Sequence, residues 1–119
     1  MAQILLAGQD WQARALLRAQ LLEEGLDVEA YETVRDALAS LGASPLLPAL
    51  LLADLSSSDD PSIDAELLSA WTRQIPTWVI ASRSLIVGKS LKGRGFQMIL
   101  FKPVDVGELV EQIKQRLET

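Results

Sequence analysis

The chain has 119 residues, 49% of them apolar, with 11 Lys and Arg against 16 Asp and Glu for a formal charge of −5. That length predicts one domain over residues 1–119, with enough chain for a core and none for a second domain. The acidic balance argues against a non-specific nucleic-acid binder. Cysteine and histidine are both absent, which removes disulfides, thiolate metal sites, cysteine nucleophiles and imidazole chemistry, Ser-His-Asp triads included. Carboxylates, hydroxyls, lysines and backbone remain.

Met1-Ala2-Gln3-Ile4 lacks the basic start of a signal peptide. The longest apolar run, residues 46–53, contains Pro48 and is far short of the roughly 20 residues that cross a bilayer. A cytoplasmic protein without membrane contact is the expectation. In chain order, Ile4-Leu5-Leu6-Ala7 closed by Gly8 predicts a buried strand. Asp10 stands where a helix N-cap belongs, and Leu17 and Leu21 carry a helix over 11–24 that stops at Gly25. Residues 26–31 alternate, with Leu26, Val28 and Ala30 on one side, as a second strand does. Thr33-Val34-Arg35-Asp36 has the form of a capping box with Asp in place of Glu. It opens a helix bearing Val34, Ala37, Leu38 and Leu41 on one face and ending at Gly42.

After a linker over 44–48, the unbroken run Ala49-Leu50-Leu51-Leu52-Ala53 predicts a central parallel strand buried on both faces, ending at Asp54. Residues 56–62 form a serine-rich loop in which Asp59 and Asp60 read as solvated turn residues. A helix is predicted over 63–74, a strand over 77–81, at best a short helix weakened by Gly88 within 84–95, and a strand over 97–101. Asp105 then caps a last helix over 106–117. Trp71 and Trp78 read as core or half-buried packing residues, and Trp11 as packing on the first helix.

Strands alternating with helices predict an α/β fold: a doubly wound parallel sheet of five strands with five helices, or four plus a short irregular fourth. In such a sheet the functional crevice lies at the carboxyl ends of the strands. Delivered there are Gly8, Gln9 and Asp10 after the first strand, Asp54 after the third, Ala81 and Ser82 after the fourth, and Lys102 after the fifth. From Arg83 to Val104 the charged residues are Arg83, Lys89, Lys92, Arg94 and Lys102, all basic. Such a patch on an acidic protein can steer an acidic partner.

The order of elements, the apolar strand ending in Asp54, and Phe101-Lys102-Pro103 ahead of a capped helix resemble, over the whole chain, the receiver domain of bacterial two-component response regulators. The resemblance implies a flavodoxin-like (CheY-like) sheet of strand order 2-1-3-4-5. It makes Asp54 the equivalent of the phospho-acceptor, served by a histidine kinase. Lys102, with Ser82, becomes the equivalent of the phosphate-binding pair. Phosphoryl transfer needs positive charge where negative charge accumulates, supplied in the family by Mg²⁺ and the lysine. The family's acidic metal-binding pair, however, falls on Gly8 and Gln9, with Asp10 one position late. Its hydroxyl after the fourth strand falls on Ala81, and its fifth-strand aromatic on Ile99. Lys102-Pro103 lies where the family often has a cis peptide.

The implied form is a degenerate receiver, a pseudo-receiver. It would be a phosphorylation-independent protein-interaction module with no enzymatic activity. Its partner face would be the fourth helix, fifth strand and fifth helix, with Arg83, Lys89, Lys92 and Arg94 on the interaction surface. A histidine kinase or a second copy of the chain would be the partner, and nucleic acid would not. No cofactor is expected, and Mg²⁺ would be held by Asp54 and Asp10 weakly or not at all. The alternative is an active receiver phosphorylated on Asp54. A flavodoxin-like nucleotide or flavin binder ranks last, because no Gly-rich phosphate loop follows the first strand.

Overall fold

Four consecutive side chains, Leu50 to Ala53, are 0% exposed in the computed structural model, which describes residues 3–43, 45–83 and 91–118. Successive strand residues point to opposite faces, so burial of all four requires a layer on each side of the strand. The core is accordingly double. On one face Leu51 and Ala53 join Leu5, Ala7, Val79 and Ala81 beneath Val34, Ala37, Ala65 and Leu68. On the other, Leu50 and Leu52 join Ile4, Leu6, Trp78 and Ile80 beneath Leu17, Leu21, Leu109 and Ile113. Trp71 is partly buried against the first of these clusters.

The strands are β1 (Ile4–Gly8), β2 (Val28–Tyr31), β3 (Leu50–Asp54), β4 (Thr77–Ala81) and β5 (Met98–Phe101), all parallel, in the order β2-β1-β3-β4-β5. Among the described residues the helices are α1 (Trp11–Glu23), α2 (Val34–Leu41), α3 (Pro61–Ser69) and α4 (Val106–Glu118). The expected α/β architecture and strand order are therefore present. Register aligns Gly8 with Asp54, Asp54 with Ile80, and Ala81 with Phe101, so the carboxyl ends of β1, β3, β4 and β5 form one rim. Among the described residues, no helix is long and apolar enough to cross a membrane.

Three expected boundaries shift by two residues or more, each for a local reason. β2 starts at Val28 rather than at residue 26. Gly25, at φ +79°, turns the chain out of α1, and the Leu26 N–H donates back to the Leu21 carbonyl at 3.1 Å. Leu26 thus completes a Schellman-type cap instead of pairing in the sheet. The third helix begins earlier and ends earlier than predicted, at Pro61 and Ser69. Asp60, read above as a solvated turn residue, is its N-cap, accepting from the Ile63 N–H at 3.1 Å. Pro61 follows at the first helical position, where a missing N–H costs nothing. Beyond Ser69 the chain proceeds in turns, with Trp71 N–H donating to Leu68 and Ile75 N–H to Trp71, each at 2.9 Å. Of the short helix expected over 84–95, residues 84–90, including Gly88 and Lys89, lie outside the described residues; Leu91, beyond them, is buried.

Candidate functional site

Asp54 closes β3 at the rim, with its side chain only 12% exposed. Lys102 leaves β5 with its N–H bonded to the Ala81 carbonyl at 2.9 Å, and the Lys102–Pro103 peptide is cis. Its Nζ lies 3.2 Å from Asp54 Oδ2, and its side chain is 39% exposed. The other carboxylate oxygen is also engaged: Asp54 Oδ1 accepts from the Ser56 N–H at 2.9 Å and from the Ser56 hydroxyl at 2.6 Å. Asp54 therefore faces three donors, one of them charged. Ser56 was not singled out from sequence, although Asp-x-Ser is a known turn signal in which the carboxylate bonds the backbone two residues on.

Gly8 lies directly across from Asp54, close enough that a Cβ added there would sit 3.4 Å from Asp54 Cβ. In place of a carboxylate at this position, the Gly8 carbonyl accepts a hydrogen bond from Arg14 Nη1. Arg14, one turn into α1, thus brings a guanidinium to the strand beside Asp54. Asp10 is used otherwise. Its Oδ1 accepts from Gln12 N–H at 3.0 Å and Ala13 N–H at 3.2 Å, and its own N–H donates to Ser57 Oγ at 3.1 Å. That is an N-cap satisfying two of the free donors of the first turn. Among the described residues, no group of three or more carboxylates is placed to hold a metal ion.

Ser82 is exposed one residue beyond β4, next to buried Ala81. Arg83 reaches the same rim, its Nε donating to the Lys102 carbonyl at 3.1 Å. Ile99, at the position of the family's aromatic switch, is partly buried against the core. Phe101, two residues on, is 37% exposed at the rim. Trp11 opens α1 beside the Asp10 cap and is 65% exposed. The basic run divides: Arg83 and Lys102 lie at the carboxyl end of the sheet, whereas Lys92 and Arg94 precede β5, at its amino end. The length of a four-residue strand, roughly 13 Å, separates them. Lys89 lies outside the described residues.

A doubly wound five-stranded parallel sheet with an Asp–Lys pair at its carboxyl rim defines a class, and comparison narrows it. No family model matches the chain, and neither does any curated protein. Solved structures do. A response regulator receiver domain protein (CheY-like) from Methanospirillum hungatei JF-1 superposes with a TM-score of 0.81 at 22% identity, over 99% of this chain and 94% of that one. The receiver domain of NtrX from Brucella abortus gives 0.78 at 22% identity, over 98% of each chain. A longer NtrX chain from the same organism gives 0.77 at 21% identity, over 98% of this chain and 27% of that one. The protein has the CheY-like fold of response-regulator receiver domains.

Proposed function

We propose that the chain is a receiver-type module of two-component signalling that works by binding protein partners, with Asp54 unphosphorylated in its working state. The observation that carries this reading is the engagement of Asp54. Acyl-phosphate formation requires a carboxylate oxygen to attack phosphorus, and both oxygens already accept hydrogen bonds or an ion pair. The stabilisers that would offset that cost are missing at their expected places: Gly8 and Gln9 carry no charge, and Ala81 carries no hydroxyl. Each preorganised group lost from such a site raises the barrier by about 3–4 kcal/mol. The Asp54–Lys102 pair then acts as a structural clamp between β3 and β5, and the domain is a binding module rather than an enzyme.

The surface favoured for a partner is the groove of about 150 Å³ between β5 and α4, whose lining includes Leu100, Phe101, Pro103 and Val104 together with Asp105 and Glu108. Phe101 is the exposed aromatic there, a residue type that dominates binding energy at protein interfaces. A histidine kinase and a second copy of the chain are the candidate partners. The test is amide NMR with Mg²⁺ and a beryllofluoride phosphoryl mimic. Resonances of β4 and β5 should stay in place, and calorimetry should give no Mg²⁺ affinity tighter than millimolar. Large shifts from Ala81 to Lys102, or micromolar Mg²⁺ binding, would restore the phospho-accepting alternative. In a pull-down, Asp54→Asn should keep a partner that Phe101→Ala loses.

A further inference from the structure

At the end of the sheet remote from Asp54, where β4 and β5 begin, a groove of about 540 Å³ opens between the segment after α3 and the turn before β5. Its walls are Ser69, Thr72, Arg73, Gly93, Arg94 and Gly95. The Thr72 hydroxyl holds the walls together, within reach of the Ser69 carbonyl at 3.0 Å and the Arg94 carbonyl at 3.3 Å. Gly93 and Gly95 flank Arg94 at φ +78° and +90°, conformations that glycine adopts without a Cβ penalty. At Gly95 the Cβ of any other residue would stand 2.7 Å from Thr72 Oγ1. The shape of the groove is thus built into the backbone.

Its charge is one-sided. From Leu67 to Val104 the chain has six basic residues and no acidic one, in a protein of formal charge −5. None of the described residues lining the groove is acidic. Among the described residues, Arg73 has no ion-pair partner; the ion pairs there involve Lys102 and Lys114. The negative pole at the end of α3 attracts cations, but its last two carbonyls are already occupied. Leu68 accepts from Trp71 N–H, and Ser69 from Thr72 N–H and the Thr72 hydroxyl. The Ser69 hydroxyl is committed to the Glu66 carbonyl at 2.7 Å. The guanidinium of Arg73, whose planar fork matches phosphate oxygens in pairs, shares this wall with that of Arg94.

We infer that this groove binds a phosphate-bearing small molecule, its phosphate held between Arg73 and Arg94. A volume of this order is that of small-molecule sites. A nucleic acid would need the basic surface to continue beyond the groove, on a chain that is acidic as a whole. The inference stands apart from the reading of Asp54, since the two sites lie at opposite ends of the sheet.

Titration of the full chain with inorganic phosphate and with pyrophosphate, at ionic strength held constant with sodium chloride and followed by amide NMR, tests it. Saturable shifts are expected at Thr72, Gly93 and Gly95, with pyrophosphate binding more tightly than phosphate. Arg73→Gln should weaken pyrophosphate roughly tenfold, the loss of one charge-assisted contact. Arg18→Gln, which removes the same charge from the exposed face of α1, should leave affinity unchanged. The inference is overturned by non-saturating shifts, by equal weakening in the two variants, or by a response centred on Ala81 and Lys102. It is equally overturned if an acidic peptide moves these amides and neither phosphate does.

Discussion

At the carboxyl end of the sheet Lys102 Nζ lies 3.2 Å from Asp54, whereas at the amino end Arg73 and Arg94 line a groove with no carboxylate among the described residues of its wall. The first arrangement is closed on itself: Lys102 has Asp54, Arg14 has the Gly8 carbonyl, and Arg83 has the Lys102 carbonyl. Satisfied in this way, cations hold strands and loops in place. The second arrangement gathers positive charge without a neutralising acid in its lining, which costs self-repulsion unless an anion arrives from outside. The residues that look functional by resemblance are thus the structurally committed ones. Arg73, which no motif marks, has no ion-pair partner among the described residues.

The contrast is broken most forcefully at Gly95. Gly95→Ala places a Cβ against Thr72 Oγ1 in a left-handed conformation. It should destabilise the fold by about 3 kcal/mol, from backbone strain plus overpacking. Urea denaturation measures this, and a loss near zero would mean that the Thr72 tie does not fix the groove.

Next in size is Asp54→Asn, which leaves Lys102 without its counter-charge. Asp54 is mostly buried but Lys102 is well exposed, so solvent screens the pair and the expected cost is about 1–2 kcal/mol. Lys102→Met in the same chain should recover part of it, as coupled neighbours do. Additive losses in this double-mutant cycle would dissolve the clamp. Asp60→Ala should cost about 1 kcal/mol by uncapping α3, and thermal melting detects it. If melting is unchanged, the early start of α3 has another cause.

The smallest effect lies outside both sites, where Lys114 Nζ of α4 meets Glu24 at 3.0 Å. The hydrogen bond to Glu24, then the charges of Glu24 and Glu111, raise the Lys114 pKa above its ordinary 10.5. A raised lysine pKa means that the folded state holds the proton more tightly than the unfolded chain. The contribution is complete below pH 10.5 and fades as pH climbs through the raised value. Melting temperatures of the parent and Lys114→Met should therefore converge on the alkaline side, and parallel curves would refute the pair.

Much of the fold was legible because the signals were local. Leu50 to Ala53 announced a doubly buried strand, Gly25 and Gly42 marked helix ends, and Asp10, Thr33 and Asp105 stood as caps and serve as caps. The third helix was misplaced because apolar spacing outweighed the Asp60-Pro61 start signal, and because Trp71 continues the period into turns that bury it. At the rim, Asp54 and Lys102 were readable as a pair, being brought level by strand register. Ser56 and Arg14 were not, since one acts through a turn and the other through a carbonyl, and carbonyls leave no mark in a sequence. The amino-end groove was hidden for a different reason. Thr72 and Arg94 are 22 positions apart and meet only because β4 and β5 are neighbours. The basic run that sequence read as one patch is cut by the strand it contains.

The three tryptophans occupy three separate environments. Trp11 is largely exposed beside the Asp10 cap, Trp78 is buried in the sheet, and Trp71 lies half-sheltered next to Thr72 and Arg73. The protein therefore carries its own optical reporters, one near each rim and one in the interior. An aqueous quencher reaches Trp11 freely and Trp78 hardly at all, giving the bright and dark limits against which Trp71 is read. An anionic quencher such as iodide is concentrated near Arg73 and a cationic one is repelled, so the ratio of their effects on Trp71 emission measures the local potential. Filling the groove with a non-absorbing anion would bring that ratio towards unity, with no label attached and no residue changed.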